Sequence, residues 1–221
     1  RQRQMCIRDS KMFMEIRETE KMKNITKEEM NIKEFFEKYP NVAIALSGGV
    51  DSVFLVYMAK KYAKSVKAYF VKSVFQPEFE KKDAEKICRQ LGVDLKILNV
   101  DVLSNKLVTD NPVNRCYYCK QGVFGTILEA AKNDGMTVIL EGTNASDDAD
   151  DRPGMKALQE MKVLSPLRMC GYVKSEIRKQ SKEAGLFVYN KPSYACLATR
   201  IPTGTAVSYT HLRAHETLSD L

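Results

Sequence analysis

Residues 46–52 read Leu-Ser-Gly-Gly-Val-Asp-Ser, between the apolar run NVAIAL and a stretch of helical character, VDSVFLVYMA. A turn of this make-up at a helix N-terminus leaves backbone N–H groups free, and the helix dipole favours an anion in front of them. Gly48 and Gly49 let the backbone approach such a ligand without a Cβ between, Val50 adds its amide, and Ser47 and Ser52 add hydroxyl donors. Asp51 would repel a bare phosphate, so its presence points to Mg²⁺ shared with a polyphosphate. No lysine follows the glycines, which separates the turn from the loop ending in Gly-Lys-Ser/Thr. The plain alternative is an ordinary strand-to-helix turn.

A second group is made of sulfur. Cys116 and Cys119 form a C-x-x-C in RCYYCK, a spacing that lets two thiolates share a metal or one thiol attack the other. Cys196 lies in the polar, proline-flanked KPSYACLATRIPTG. Cys88 falls on a helical stripe and reads as core, Cys6 belongs to the leader, and Cys170 has no evident role. Six cysteines in a reducing compartment are poor material for a disulfide framework, so the clustered pair reads first as metal-binding or catalytic.

These groups need a scaffold. The pattern predicts a short helix over 26–39, with Thr26 and Glu29 as its capping box and Pro40 as its stop. Strands follow at NVAIALS, SVKAYFVKS, DLKILNV and TVILEGT, alternating with helices at SVFLVYMAKKYA, Pro77 to Leu91 (closed by Gly92) and Cys116 to Asn133. VLSPLRM and VKSEIRKQSKEAGL make one more strand and helix, and the chain is irregular from Lys191. Strands alternating with helices predict an α/β fold, a parallel sheet with helices on both faces, with the site at the carboxyl ends of the strands.

The 221 residues, 44% of them hydrophobic, suffice for one main domain. A net charge of +7 suits a nucleic acid or a phosphorylated small molecule equally. No apolar run is long enough to span a bilayer and the N-terminus lacks a secretory pattern, so the expected location is cytoplasmic. Residues 1–10 and 206–221 share no pattern with what they flank and read as translated adapter sequence, which would remove both histidines, His211 and His215, from the natural protein. Between them the expected divisions are an N-terminal helical segment (11–40), the main domain (41–190) and the start of a C-terminal catalytic segment (191–205).

SGGVDS resembles the pyrophosphate loop (PP-loop) of the ATP pyrophosphatase superfamily, whose members split ATP into AMP and pyrophosphate to activate a carbonyl or carboxylate. Together with RCYYCK, EGTNASDDADDRPGMKA, SPLRMCGYVKSEIR and KPSYACLATRIPTG, it is similar to the LarE family, the ATP-dependent sulfur transferases of nickel-pincer nucleotide cofactor biosynthesis, over roughly Thr26 to Gly204. The resemblance implies an adenine nucleotide α-hydrolase-like fold whose C-terminal part is truncated here, and a homo-oligomer in full-length members. It implies adenylation of a carboxylate on a pyridinium dicarboxylate mononucleotide, followed by attack of sulfur to give a thiocarboxylate. An acyl-adenylate supplies the leaving group a carboxylate lacks.

The same resemblance places Lys174 near the phosphates, Ser73 beside the adenine, Gly142 and Asn144 at AMP, and Arg152 and Arg200 on substrate. Guanidinium forks fit phosphate and carboxylate. In one version of the family chemistry Cys196 surrenders its own sulfur; in another, Cys116, Cys119 and Cys196 hold a [4Fe-4S] cluster whose open iron carries sulfide. Ligand counting favours the cluster, since zinc would want a fourth protein ligand and three thiolates leave one iron free. Other readings are a tRNA thiolase, disfavoured because no separate RNA-binding module is evident, an ATP-dependent amide ligase of the NAD or GMP synthetase type, which leaves the cysteines unexplained, and a non-catalytic nucleotide-binding module.

Overall fold

The run after Pro40 forms the central strand β1 (Asn41–Ala45), whose Val42, Ala43 and Ile44 are fully buried. Burial on both sides is what a parallel strand between two helical layers requires. The computed structural model describes residues 30–148 and 152–215, and all elements below belong to the unit Asn31–Leu221. The expected leader, Thr26 and Glu29, and the acids Asp150 and Asp151 lie outside the described residues.

In order, the chain makes α1 (Ile32–Lys38), β1, α2 (Val50–Tyr62), β2 (Ser65–Lys72), α3 (Glu78–Leu91), β3 (Asp94–Asn99), α4 (Lys106–Thr109), α5 (Arg115–Asn133), β4 (Val138–Leu140), α6 (Pro153–Glu160), α7 (Pro166–Met169), α8 (Lys174–Glu183) and α9 (Tyr209–His215). Short 3₁₀ turns at Val102–Ser104, Phe187–Asn190 and Leu197–Arg200 interrupt the loops. α1 starts later than the sequence pattern predicts. Its cap is Asn31, whose side chain accepts from Lys33 and Glu34 N–H while the Glu34 carboxylate accepts from Asn31 N–H, a complete capping box.

The strands are parallel, in the order β3-β2-β1-β4. Ala43, Tyr69 and Val71 pack with Phe124, Ile127 and Ala131 of α5 on one face. The alternating residues Val42, Ile44, Ala68 and Phe70 are equally buried and face the side on which α2 and α3 lie. The doubly covered parallel sheet is thus as expected. VLSPLRM is not a strand: it contributes a single bridge, Leu140 to Leu164, and turns into α7. Pro166 cannot donate to a ladder but fits the first turn of a helix.

Residues 196–212 form a second small core, in which Leu197, Ala198, Ile201, Val207 and Leu212 pack with Phe75, Val102 and Val108. Val207 N–H donates to Thr109 C=O at 2.7 Å.

Candidate active site

β1 leads outward to β2 and β3, and β4 returns on the other side of β1, so the loops after β1 and β4 diverge at the carboxyl ends of their strands. There lies a crevice of about 400 Å³, lined by the loop after β1, Glu141–Thr143 after β4, and Lys120, Lys174, Lys191 and Cys196.

The loop is tied to itself. Ser47 N–H donates to Ser52 Oγ (3.2 Å), the two hydroxyls lie 3.0 Å apart, and the Ser52 hydroxyl donates to Gly49 C=O (3.1 Å). The first intrahelical bond runs from Val53 N–H to Gly49 C=O (3.1 Å), so the amides of Val50, Asp51 and Ser52 are the donors an α-helix start leaves without an intrahelical partner. Two glycines make the packing possible. Gly48 has φ +78°, and a Cβ there would stand 2.9 Å from the Glu80 carbonyl oxygen. A Cβ on Gly142 would stand 2.8 Å from Ser52 N, so the β4 loop rests directly on the start of α2.

Asp51, Asn144, Ser146 and Lys174 close a ring. Asn144 Nδ2 donates to Asp51 Oδ1 (3.4 Å), the Ser146 hydroxyl to Asn144 Oδ1 (2.6 Å), Lys174 N–H to Ser146 Oγ (3.1 Å), and Lys174 Nζ pairs with Asp51 Oδ2. Lys174 reaches Asp51 because it is the first residue of α8, and Asn144, fully buried, is held further by its N–H on Asp147 Oδ2 (3.1 Å). An acid, an amide and a lysine far apart in sequence therefore converge on the helix start where a polyphosphate would bind.

Cys116 and Cys119 lie in the first turns of α5, and Cys196 precedes the 3₁₀ turn whose Leu197 and Ala198 share a core with Cys119. Burial, reinforced by Cys196 and Cys116, pushes the Cys119 thiol up to about 11. Burial also raises Cys196, opposed mainly by the Arg115 guanidinium. Cys196 is half-buried, and the Arg115 guanidinium is a cation that acts on it. Buried Arg115 donates from Nη1 to Asn111 Oδ1 (2.6 Å) and Ala198 C=O (2.8 Å), and Asn111 Nδ2 donates to the carbonyls of Pro202 (2.8 Å) and Thr205 (3.0 Å). This pair pins the Cys196 segment to α5. The three thiols sense one another electrostatically, yet among the described residues no group of three or more His, Cys, Asp or Glu is disposed to hold a metal ion. The thiols as arranged do not fit a ready-made cluster site.

Other expected residues stand further off. Ser73 is buried with its hydroxyl on Gln76 Oε1 (2.5 Å), and Gln76 rather than Ser73 lines the crevice. Arg152 caps α6, exposed and outside the crevice lining. Arg200 donates to the Tyr194 hydroxyl and lies over that ring at 5.3 Å.

Sequence reading missed Lys191, which donates to Gly48 C=O (3.1 Å) and Asp83 Oδ2 (2.6 Å). It also missed Lys120, whose ammonium burial pulls below the usual lysine range, and Glu141, which accepts from the Thr143 hydroxyl (2.7 Å) and from Ser165. Glu80, 9% exposed, was missed too, although it sits four residues before Ala84 on the apolar stripe of α3; an acid in such a stripe was the available sign.

The sequence pattern described as the PP-loop domain matches residues 17–152. An uncharacterised protein of Synechocystis is 32% identical over 185 residues, covering 83% of this chain and 69% of the relative. Pyridinium-3,5-bisthiocarboxylic acid mononucleotide synthase of Lactiplantibacillus plantarum is 28% identical over 173 residues, covering 77% of this chain and 63% of that protein, so the chain spans less than two thirds of its length. Among solved structures, the NH₃-dependent NAD synthetase of Campylobacter jejuni aligns with a TM-score of 0.53 over 74% of this chain and 76% of its own, at 18% identity, a likeness of fold. No helix among the described residues is long and apolar enough to cross a membrane.

Proposed function

The chain belongs to the PP-loop domain family, and on that premise we propose that it is an ATP-dependent, AMP- and pyrophosphate-forming sulfurtransferase acting on a carboxylate of a pyridinium dicarboxylate mononucleotide. The observation that carries this reading is that one crevice is lined by both the Ser47–Ser52 loop and Cys196. A phosphate grip and a sulfur nucleophile sharing one cavity suit activation followed by thiolation. The 28% identity to a bisthiocarboxylic acid mononucleotide synthase supports the substrate class.

The loop amides would take the β- and γ-phosphates, and the first turn of α2 would favour their charge. Asp51 would hold Mg²⁺ with the phosphates, its carboxylate lying at the helix start, while Lys174 would move from Asp51 toward the phosphate charge. The metal would supply charge neutralisation at the leaving group. A substrate carboxylate oxygen bonds to the α-phosphorus, the bond to the bridging oxygen breaks, and pyrophosphate leaves.

Cys196 then loses its proton, its Sγ bonds to the acyl carbon, and AMP departs with the former carboxylate oxygen. Loss of the Cys196 α-proton breaks its Cβ–Sγ bond, leaving the thiocarboxylate on the substrate and dehydroalanine in the chain. The alternative source, sulfide on a [4Fe-4S] cluster held by Cys116, Cys119 and Cys196, would require these thiols to regroup.

The test is pyrophosphate release with Mg-ATP and the mononucleotide, followed by mass spectrometry of Cys196. A loss of about 34 Da supports the sacrificial route, since β-elimination removes H₂S. An unmodified Cys196 with iron and sulfide near four each per chain, after anaerobic reconstitution, supports the cluster. Turnover that requires tRNA and falls steeply with salt would replace the reading with RNA thiolation.

A further inference from the structure

Glu80 is the third residue of α3, and its backbone carbonyl is the surface against which Gly48 of the loop rests. Although 9% exposed and part of the crevice lining, its carboxyl makes no hydrogen bond or ion pair among the described residues. The charged groups facing it are committed elsewhere. Lys191 donates to Asp83 (2.6 Å) and Gly48 C=O (3.1 Å), while Lys72, at the end of β2, donates to Gln76 C=O (2.9 Å) and pairs with Glu78 (3.0 Å). Asp83, one turn further along α3, adds negative charge. Across the crevice Asp51 and Lys174 satisfy each other.

A largely buried carboxyl that lines the crevice without a protein partner among the described residues, on a residue packed against the phosphate-binding loop, faces a conflict: as an anion it repels the ligand the loop is built to hold. As a neutral acid it becomes a donor that an all-acceptor ligand can use. We propose, on the reading of the Ser47–Ser52 loop as a polyphosphate grip, that Glu80 takes up a proton when the nucleotide binds and donates a hydrogen bond from its protonated carboxyl to a phosphate oxygen. That places a proton beside the pyrophosphate as it leaves, with Glu80 returning to carboxylate and the proton passing to a pyrophosphate oxygen.

The protein's own groups already poise the balance. Burial, with Asp83 adding to it and Lys191 and Lys72 opposing, raises the Glu80 carboxyl to about 7. Incoming phosphate charge moves it further in the same direction.

The experiment is calorimetric titration of the full chain with Mg²⁺ and α,β-methylene-ATP, at pH 7.5, in two buffers of different ionisation enthalpy. Expected is buffer-dependent heat that reports proton uptake, lost in Glu80→Gln, and an affinity that falls by up to about tenfold per pH unit above pH 7 in wild type but not in the variant. Tripolyphosphate should reproduce the uptake and adenosine should not, a comparison that needs no variant. Binding without proton uptake, or equal uptake in Glu80→Gln or with adenosine, overturns the proposal. No binding of either polyphosphate ligand overturns the grip reading on which it rests.

Discussion

Gly142 offers the sharpest test of how the site is assembled, because its effect follows from space alone. A Cβ added there would meet Ser52 N at 2.8 Å, Ser52 Cα at 3.0 Å and the Asp51 carbonyl carbon at 3.2 Å, all backbone atoms of the first turn of α2. No rotamer change relieves such contacts. Reaching an ordinary separation of about 3.5 Å requires the β4 loop and the helix start to part by roughly 0.7 Å. Overpacking of this kind costs about 1–3 kcal/mol. Gly142→Ala should therefore lower the urea midpoint by that free energy without changing the slope.

The same movement displaces Asn144 from Asp51 and the loop amides from the phosphates. A misplacement approaching 1 Å costs up to about 10²-fold in rate, so pyrophosphate release should fall by roughly one to two orders of magnitude. The control is Gly125→Ala, in the interior of α5, where an added Cβ meets nothing within 4 Å. It should leave turnover unchanged and stabilise by about 0.5–1 kcal/mol through helix propensity. If Gly142→Ala matches wild type in both assays, or Gly125→Ala loses as much, the two loops do not depend on close approach and the reasoning fails.

Lys174→Met removes the partner of Asp51; both side chains are partly exposed, so stability should change by less than about 1 kcal/mol, while pyrophosphate release drops roughly 10²–10³-fold. Comparable losses in both would mark the lysine as structural. Arg115→Ala leaves Asn111 Oδ1 and the Ala198 carbonyl without a buried donor, which should cost about 2–4 kcal/mol and speed proteolytic cleavage within 196–205; unchanged protection of that segment would dissociate it from Arg115. For Glu80 in the unliganded chain, a folded value of about 7 against an ordinary 4.5 means burial costs nothing below pH 4.5 and progressively destabilises as pH rises through 7. Glu80→Gln should then match wild type at acid pH and exceed its stability by up to about 3 kcal/mol above pH 7, a crossover read from urea midpoints against pH; a constant difference would refute it.

Local physics was legible along the chain. The NVAIA strand, the Gly-Gly turn and the helix that follows are contiguous, and backbone freedom at Gly48, the apolar period and the unpaired amides of a helix start all act within a few residues. The parallel α/β sheet followed from the alternation of such segments. Even the C-x-x-C at the start of α5 needed only its spacing. VLSPLRM misled because apolar content outweighed the single proline that sends it into α7.

Only the tertiary fold decided which distant residues meet. Lys174 reaches Asp51, and Asn144 reaches it from the other side, because the chain reverses its strand order about β1 and brings the β4 loop back beside α2. Arg115 comes to oppose the effect of burial on the Cys196 thiol because α5 and the 196–205 segment are pinned through Asn111. Glu80 falls on the apolar stripe of α3, but only packing shows that it meets the crevice and that its carboxyl has no protein partner among the described residues. Ionisation and ligand contact depend on distance and burial in three dimensions, and sequence separation carries neither.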